Sequence, residues 1–396
     1  MVTVSEATAI IQNHLYRPEK ETVQLDQSMG RILAEAIKAD RDLPPFDRVA
    51  MDGIAISFDS FQDGWRDFKV EATLAAGQPR ITLKDPHNCI EVMTGAMLPV
   101  GCDTVIRYED VIIVNKIARL KGSPIEKSQS VHPRAHDAKR GDVLLSPGNK
   151  IAASEVALLA SVGRRDAIVV AFPKTAIIST GNELVDISDP PQPHQIRRSN
   201  SYTLRAALSG MGGHADLFHL PDDRNVLDRE LGKIMTDRQL IILSGGVSKG
   251  KFDFVPAALE SLGVQMLFHE VSQKPGKPFW FGATKKQVVF ALPGNPVSTF
   301  MCFYRYVYPW LMKSMGVEPA SSFAFLAEDF SFKPELTYFL EVIVRNESGK
   351  LMAYPKPGGG SGDFANLKMV DGFLELPVGG TLFKAGDVFP YIPFRN

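Results

Sequence analysis

The sequence predicts a multidomain chain, α/β in its central part and β-rich on either side, on three observations. From Val169 apolar strand-like runs alternate with glycine loops and helical stretches; from Val49 to about Val114 short apolar runs are separated by turn residues; and beyond Gly316 the chain returns to short runs among glycines and prolines. The first pattern belongs to a parallel sheet covered by helices with right-handed crossovers, the second to an all-β module and the third to a small β-barrel. At roughly 100–200 residues per domain, a chain of 396 residues supplies two to four such cores.

Taken in order, two helices are expected first, one over 6–15 capped by Ser5 and one over 31–39 behind Ser28. Asp42-Leu43-Pro44-Pro45-Phe46-Asp47 stops any helix. Turn signals such as Gly77-Gln78-Pro79 and Leu98-Pro99-Val100-Gly101 punctuate the strands that follow, and 141–145 reads as one more strand before a helix over 154–162. In the α/β part the expected strands are 174–179, 214–220, 239–243 and 287–292, with helices over 199–209, 254–262 and from Pro296 to about Met315.

With 44 Lys plus Arg against 45 Asp plus Glu, the net charge is -1, so no basic surface for nucleic acid or acidic lipid is expected. Cys89, Cys102 and Cys302 form no C-x-x-C pair, which argues against a disulfide framework and for a reducing compartment. Residues 1–16 read as an amphipathic helix rather than a secretion signal, and no apolar run approaches the roughly 20 residues that span a bilayer. A cytoplasmic protein is expected.

Ligands of an open parallel sheet bind beyond the carboxyl ends of its strands, where loops present free backbone N–H groups. Three glycine-bearing loops fall there: 179–183 with Gly181, 244–250 with Ser244, Gly245, Gly246 and Ser248, and 293–296 ending in Pro296. The middle loop satisfies G-x-x-x-x-G-K from Gly245 to Lys251, but Phe252 replaces the hydroxyl that would ligate magnesium in a P-loop. Glu183, Asp222 and Asp253 sit at or just beyond strand ends, as carboxylates sharing a divalent cation would, although Asp253 can equally cap the next helix and Asp222 or Asp223 can be a turn residue. Lys274-Pro275-Gly276-Lys277-Pro278 is a stiffened segment with two ammonium groups for an anion. His132 and His136 stand four apart in a loop with no third ligand in view, so ordinary loop histidines are expected there, and the cysteines are read as packed apolar groups.

At these residues the chain resembles the molybdopterin molybdenumtransferases, the MoeA family, to which the carboxyl-terminal part of gephyrin is related. The likeness rests on six motifs in family order: Pro44-Pro45-Phe46-Asp47 with Ala50-Met51-Asp52-Gly53, Met93-Thr94-Gly95-Ala96, Ser179-Thr180-Gly181-Asn182-Glu183-Leu184, Ser244-Gly245-Gly246-Val247-Ser248, Lys274-Pro275-Gly276-Lys277-Pro278 and Leu292-Pro293-Gly294-Asn295-Pro296. It implies an elongated homodimer of four-domain subunits. These would be an elongated linker domain (1–40 and 138–168), a β-rich domain (41–137), a MogA-like α/β domain (169–317) related to the molybdopterin-adenylylating enzyme, and a carboxyl-terminal β-barrel (318–396).

The implied reaction is hydrolysis of adenylylated molybdopterin to release AMP, with insertion of molybdate into the exposed dithiolene and Mg²⁺ or another divalent cation as cofactor. The resemblance places Asp52, Thr94, Glu183, Asp222 and Asp253 at positions important for activity, and Lys274, Lys277 and Ser361 where molybdate or the substrate's phosphates are met. The adenylylating enzyme is a further implied partner. A gephyrin-like scaffold and a molybdopterin adenylyltransferase are the competing readings. The sequence departs from the family at Arg48-Val49, Asn182, Lys249, Glu270 and Glu341, the last in place of a common arginine.

Overall fold

The computed structural model describes residues 1–248 and 253–395, which divide into two compact units. One comprises Met1–Val23, Gly30–Ala34 and the chain from Ile168 onward; the other comprises Gln24–Met29 and Glu35–Ala167. This is a coarser division than four domains.

The first unit is built on a six-stranded sheet in the order Ala215–Leu220, Thr175–Thr180, Leu240–Ser244, Val288–Leu292, Trp280–Ala283 and Gln265–His269. The first four strands are parallel, as the strand-loop-helix alternation requires. Trp280–Ala283 runs antiparallel to both of its neighbours, and neither it nor Gln265–His269 was anticipated; Trp280–Ala283 is buried throughout and too short to stand out from its apolar surroundings. Alternating side chains feed two cores. Ile177, Leu240, Ile242, Phe290 and Leu292 pack with the helix Ser199–Ser209 through Leu204 and Leu208. Ile178, Ile241, Leu243, Val289 and Ala291 meet Leu227, Leu231, Val255 and Leu259 on the other face. Burial on both faces explains why these strands read as continuous apolar runs.

Asp223 caps the helix Arg224–Met235 by accepting from the Val226 N–H at 3.0 Å. Pro296 opens a helical stretch that runs through Pro296–Cys302, a π-helical turn at Phe303–Val307 and Tyr308–Ser314. The amino-terminal helix is Val4–Gln12, and its cap is Thr3 rather than Ser5: Thr3 and Glu6 form a reciprocal capping box, which uses two otherwise unpaired N–H groups where Ser5 would use one. The expected helix over 31–39 does not exist. Leu33 bridges to Val169, and Ala34 donates to the Ile168 carbonyl at 2.8 Å, so pairing with a distant segment overrides the local helical pattern.

The strands Ser322–Leu326, Thr337–Glu347, Lys350–Pro355, Gly372–Leu376 and Val388–Pro393 close into a five-stranded barrel, because Thr337–Glu347 also pairs with Gly372–Leu376. A short strand, Gln273–Lys274, adds to it in parallel opposite Thr337 and Tyr338. The second unit carries the anticipated β-rich module as a six-stranded sheet, Thr104–Arg107, Gly53–Ile56, Asn88–Val92, Asp67–Leu74, Ile117–Leu120 and Val111–Val114 in spatial order. No helix of the described residues is long and apolar enough to cross a membrane.

Candidate active-site cleft

The chain leaves Thr175–Thr180 toward one edge of the parallel sheet and returns to lay Leu240–Ser244 on its other side, so the strand order reverses between these two neighbours. Such a reversal opens a crevice at the carboxyl ends, since the adjoining loops depart in opposite directions. Ser179 pairs with Ser244 and Ser244 with Leu292, which brings the ends of all three strands level. The resulting cleft encloses about 980 Å³.

Of the predicted residues, Gly181, Glu183, Asp222, Ser244, Gly245, Gly246, Ser248, Asp253, Lys274, Lys277, Pro296 and Ser361 all line this one cleft. Gly245 and Gly246 adopt φ of +98° and +69°, and a Cβ on Gly246 would lie 2.7 Å from Val255 Cγ2. Only glycine lets this loop lie so close to its neighbours. The loop's Lys249, Gly250, Lys251 and Phe252, including the end of the P-loop-like pattern, lie outside the described residues.

The carboxylates are held individually. Asp222 and Asn182 exchange two bonds, Asn182 N–H to Asp222 Oδ2 at 3.3 Å and Asp222 N–H to Asn182 Oδ1 at 3.2 Å. The Asn182 side chain thus supplies an acceptor to this lock. Asp253 accepts from the Ser248 hydroxyl at 2.7 Å and does not cap the following helix; the N-cap is Phe254, without a side-chain bond. That excludes the capping alternative. A hard divalent cation suits these oxygens, but among the described residues Glu183, Asp222 and Asp253 do not form a set whose ligand atoms all lie within 4.8 Å of one another. Magnesium keeps several waters and takes one or two carboxylates together with substrate phosphates, so a shared three-carboxylate set is not needed to hold it.

The lysine segment owes its stiffness to packing that the sequence did not disclose. Gln273 is buried and donates to the Gly276 carbonyl at 3.0 Å, while Gly276, at φ +86°, leaves no room for a Cβ, which would fall 2.8 Å from Cys302 Sγ. Lys274 and Lys277 remain exposed at the cleft wall, and Lys274 Nζ lies 5.7 Å from the centre of the Phe332 ring. Ser361 Oγ accepts from Asn295 Nδ2 at 2.7 Å and the Ser361 carbonyl from Val297 N–H at 3.1 Å, which ties the glycine-rich segment 358–361 to the third strand-end loop. Glu341 is 6% exposed and accepts from the Gly358 N–H at 3.0 Å, so this buried carboxylate organises that same segment.

Sequence reasoning missed Asn200. Its Nδ2 donates to Ser244 Oγ at 2.9 Å and to the Gly294 carbonyl at 2.8 Å, joining two of the three loops; an asparagine in the first turn of a helix carried no signal of this. Thr180 Oγ1 and Ser201 Oγ, both on cleft-lining residues, are buried without a hydrogen-bond partner among the described residues. Unsatisfied hydroxyls are costly unless a ligand completes them.

Asp52 and Thr94 belong to the other unit. There the Asp52 carboxylate accepts from the Thr94 N–H at 2.6 Å and the Thr94 hydroxyl at 2.7 Å, and these bonds, the backbone one foremost, hold its pKa below the ordinary aspartate value. Cys89, Cys102 and Cys302 are buried and unbridged, and burial pushes the first two thiols up to about 12, which makes them inert packing groups.

Three family models account for most of the chain: the MoeA N-terminal region (domain I and II) over 2–163, a probable molybdopterin binding domain over 176–313 and the MoeA C-terminal region (domain IV) over 324–394. A protein of Synechocystis sp. named molybdopterin molybdenumtransferase is 42% identical over 396 residues, covering 99% of each chain. The chain belongs to the MoeA family. A Bacillus subtilis protein of the same name is 31% identical, covering 100% of this chain and 94% of its own. The crystal structure of a MoeA protein from Pyrococcus horikoshii superposes with a TM-score of 0.83 at 29% identity over all of both chains. Like its MoeA relatives, the chain combines a MogA-like domain with β-rich parts and a closed terminal barrel.

Proposed function

We propose that this MoeA protein is a molybdopterin molybdenumtransferase of molybdenum cofactor biosynthesis: it hydrolyses adenylylated molybdopterin, releases AMP and inserts molybdate into the dithiolene. The observation that carries this reading is the single cleft in which three strand-end loops, the two-lysine turn and three carboxylates meet. Substrate phosphates and molybdate are oxyanions. Backbone N–H groups of 244–248, the orphaned Thr180 hydroxyl, Lys274 and Lys277 supply donors and charge for them. Asp253 and Asp222 orient the attacking water. A Mg²⁺ ion, held by Glu183 or the two aspartates, supplies charge neutralisation at the phosphates when bound.

Incubation with adenylylated molybdopterin and molybdate should release AMP, whereas molybdopterin with ATP should give no adenylylated product. Activity only in the second mixture would make the chain an adenylyltransferase, and activity in neither would favour a gephyrin-like scaffold. The enzyme acts in the cytoplasm on this reading, where thiols such as Cys302 stay reduced, and takes its substrate from the adenylylating enzyme.

The functional form is a homodimer in which Asp52 and Thr94 serve the cleft of the partner subunit. Support comes from the hydrogen-bonded Asp52–Thr94 pair, a polar constellation sited in the unit that lacks the cleft. Asp52→Asn and Glu183→Gln chains should each be inactive alone, yet recover about a quarter of native activity when unfolded and refolded together, since half the dimers are mixed and each mixed dimer keeps one intact site by two-fold symmetry. No recovery in a mixture shown by light scattering to contain dimers would place both groups in one subunit's site.

A further inference from the structure

We propose that His132, His136 and Asp137, none of which lines the cleft, form a binding site for one divalent transition-metal ion of the zinc type. The sequence left the two histidines without a third ligand, and folding supplies it. Ala135 takes a φ of 60°, and the His136 N–H closes a turn onto the Pro133 carbonyl at 3.2 Å, so the loop doubles back between the two rings. The ring centroids come to 4.6 Å. His132 Nε2 lies 3.1 Å and His136 Nδ1 3.2 Å from the same Asp137 oxygen, Oδ1, and one donor atom from each of the three residues lies within 4.8 Å of the others.

The two distances from the imidazoles to Asp137 Oδ1 are close to the ligand–ligand spacing of a metal's coordination shell. Ligand atoms at about 2.0–2.1 Å from a tetrahedral zinc ion stand roughly 3.3 Å apart, so an ion can replace the two hydrogen bonds with little movement of the side chains. Two imidazoles and one carboxylate select zinc, copper or nickel over magnesium and calcium, and three protein ligands leave a position for water.

The backbone beneath is fixed before any ion arrives. Ala135 N–H donates to the Pro44 carbonyl at 3.0 Å, Asp137 N–H to the Leu43 carbonyl at 2.8 Å and Arg134 N–H to Asp47 Oδ1 at 2.9 Å, while His132 pairs with Arg48. Arg134 is itself paired with Asp42 at 2.6 Å. An ion here would clip the loop to the 42–49 segment, three residues before Asp52.

Zinc chloride titrated by calorimetry into the chelator-treated full-length chain should give one saturable equivalent. Cobalt(II) at the same stoichiometry should give visible absorption of a four- or five-coordinate site. His136→Gln and Asp137→Asn should each weaken binding at least about tenfold, the lower end of what removing even an outer-shell partner costs, and Asp253→Asn should leave it unchanged. His136 and Asp137 side chains are 60% and 54% exposed, so both variants should melt like the native protein without metal. Absence of saturable uptake, retention of the equivalent in both loop variants, or its loss in Asp253→Asn would each overturn the site.

Discussion

Replacing Asp253 by asparagine should abolish molybdate-dependent AMP release, lowering turnover by at least about a hundredfold, as removal of one preorganised electrostatic group does. The side chain accepts from Ser248 and lines the cleft beside the double-glycine loop. Asparagine keeps the size and an acceptor for Ser248, and it loses the charge that a cation or an attacking water requires. Because Phe254 rather than Asp253 occupies the N-cap of Val255–Ser261, the exchange should not unravel that helix. Circular dichroism and melting should therefore match the native chain. Unchanged AMP release would remove Asp253 from the reaction; lost release with a lowered melting temperature would assign it a structural role.

Replacing Glu375 by alanine should cost about 3 kcal/mol of folding stability, toward the lower end for breaking a buried pair, because each side chain retains 18% exposure. Arg305, in the π-helical turn, donates to both carboxylate oxygens of Glu375 on the barrel strand Gly372–Leu376, at 2.7 Å and 3.3 Å, and to Thr8 Oγ1 at 3.2 Å. Burial opposes the Arg305 charge, and Glu375 together with Tyr306 more than offsets it, so its pKa lies above the ordinary arginine value. Without Glu375 the guanidinium stays desolvated and unpaired. The loss should appear as a lower urea midpoint, with Glu375→Gln in between. A shift below about 0.5 kcal/mol, the range of ordinary surface substitutions, would show that water reaches the guanidinium freely.

Much of the cleft was legible because its chemistry is written locally. Gly245 and Gly246 mark a close-approach loop by composition, and Ser179, Ser244 and Leu292 end apolar runs whose period already says buried strand. The helix over 31–39 was misread for the converse reason: its residues pair with Ile168 and Val169, more than a hundred positions away, and no window of local sequence contains that partner. Asn200 was invisible because its acceptors, Ser244, Gly294 and Thr299, are brought to it only by the tertiary fold. The His132–His136 pair was discounted because a left-handed residue at Ala135, rather than the spacing, sets the approach of the two rings.

By itself the sequence determined the four parallel strands of the central sheet, the residues able to bind oxyanions and the family to which they point, since propensity, periodicity and turn chemistry act over a few neighbouring residues. Tertiary structure alone decided that the strand order reverses between Thr175–Thr180 and Leu240–Ser244, that Lys274 is carried to the cleft on a strand added to the barrel, and that Glu341 steadies the glycine segment bearing Ser361. Each of these depends on which distant strands pair and in what register, a choice made by burial of the whole core rather than by any one stretch of chain.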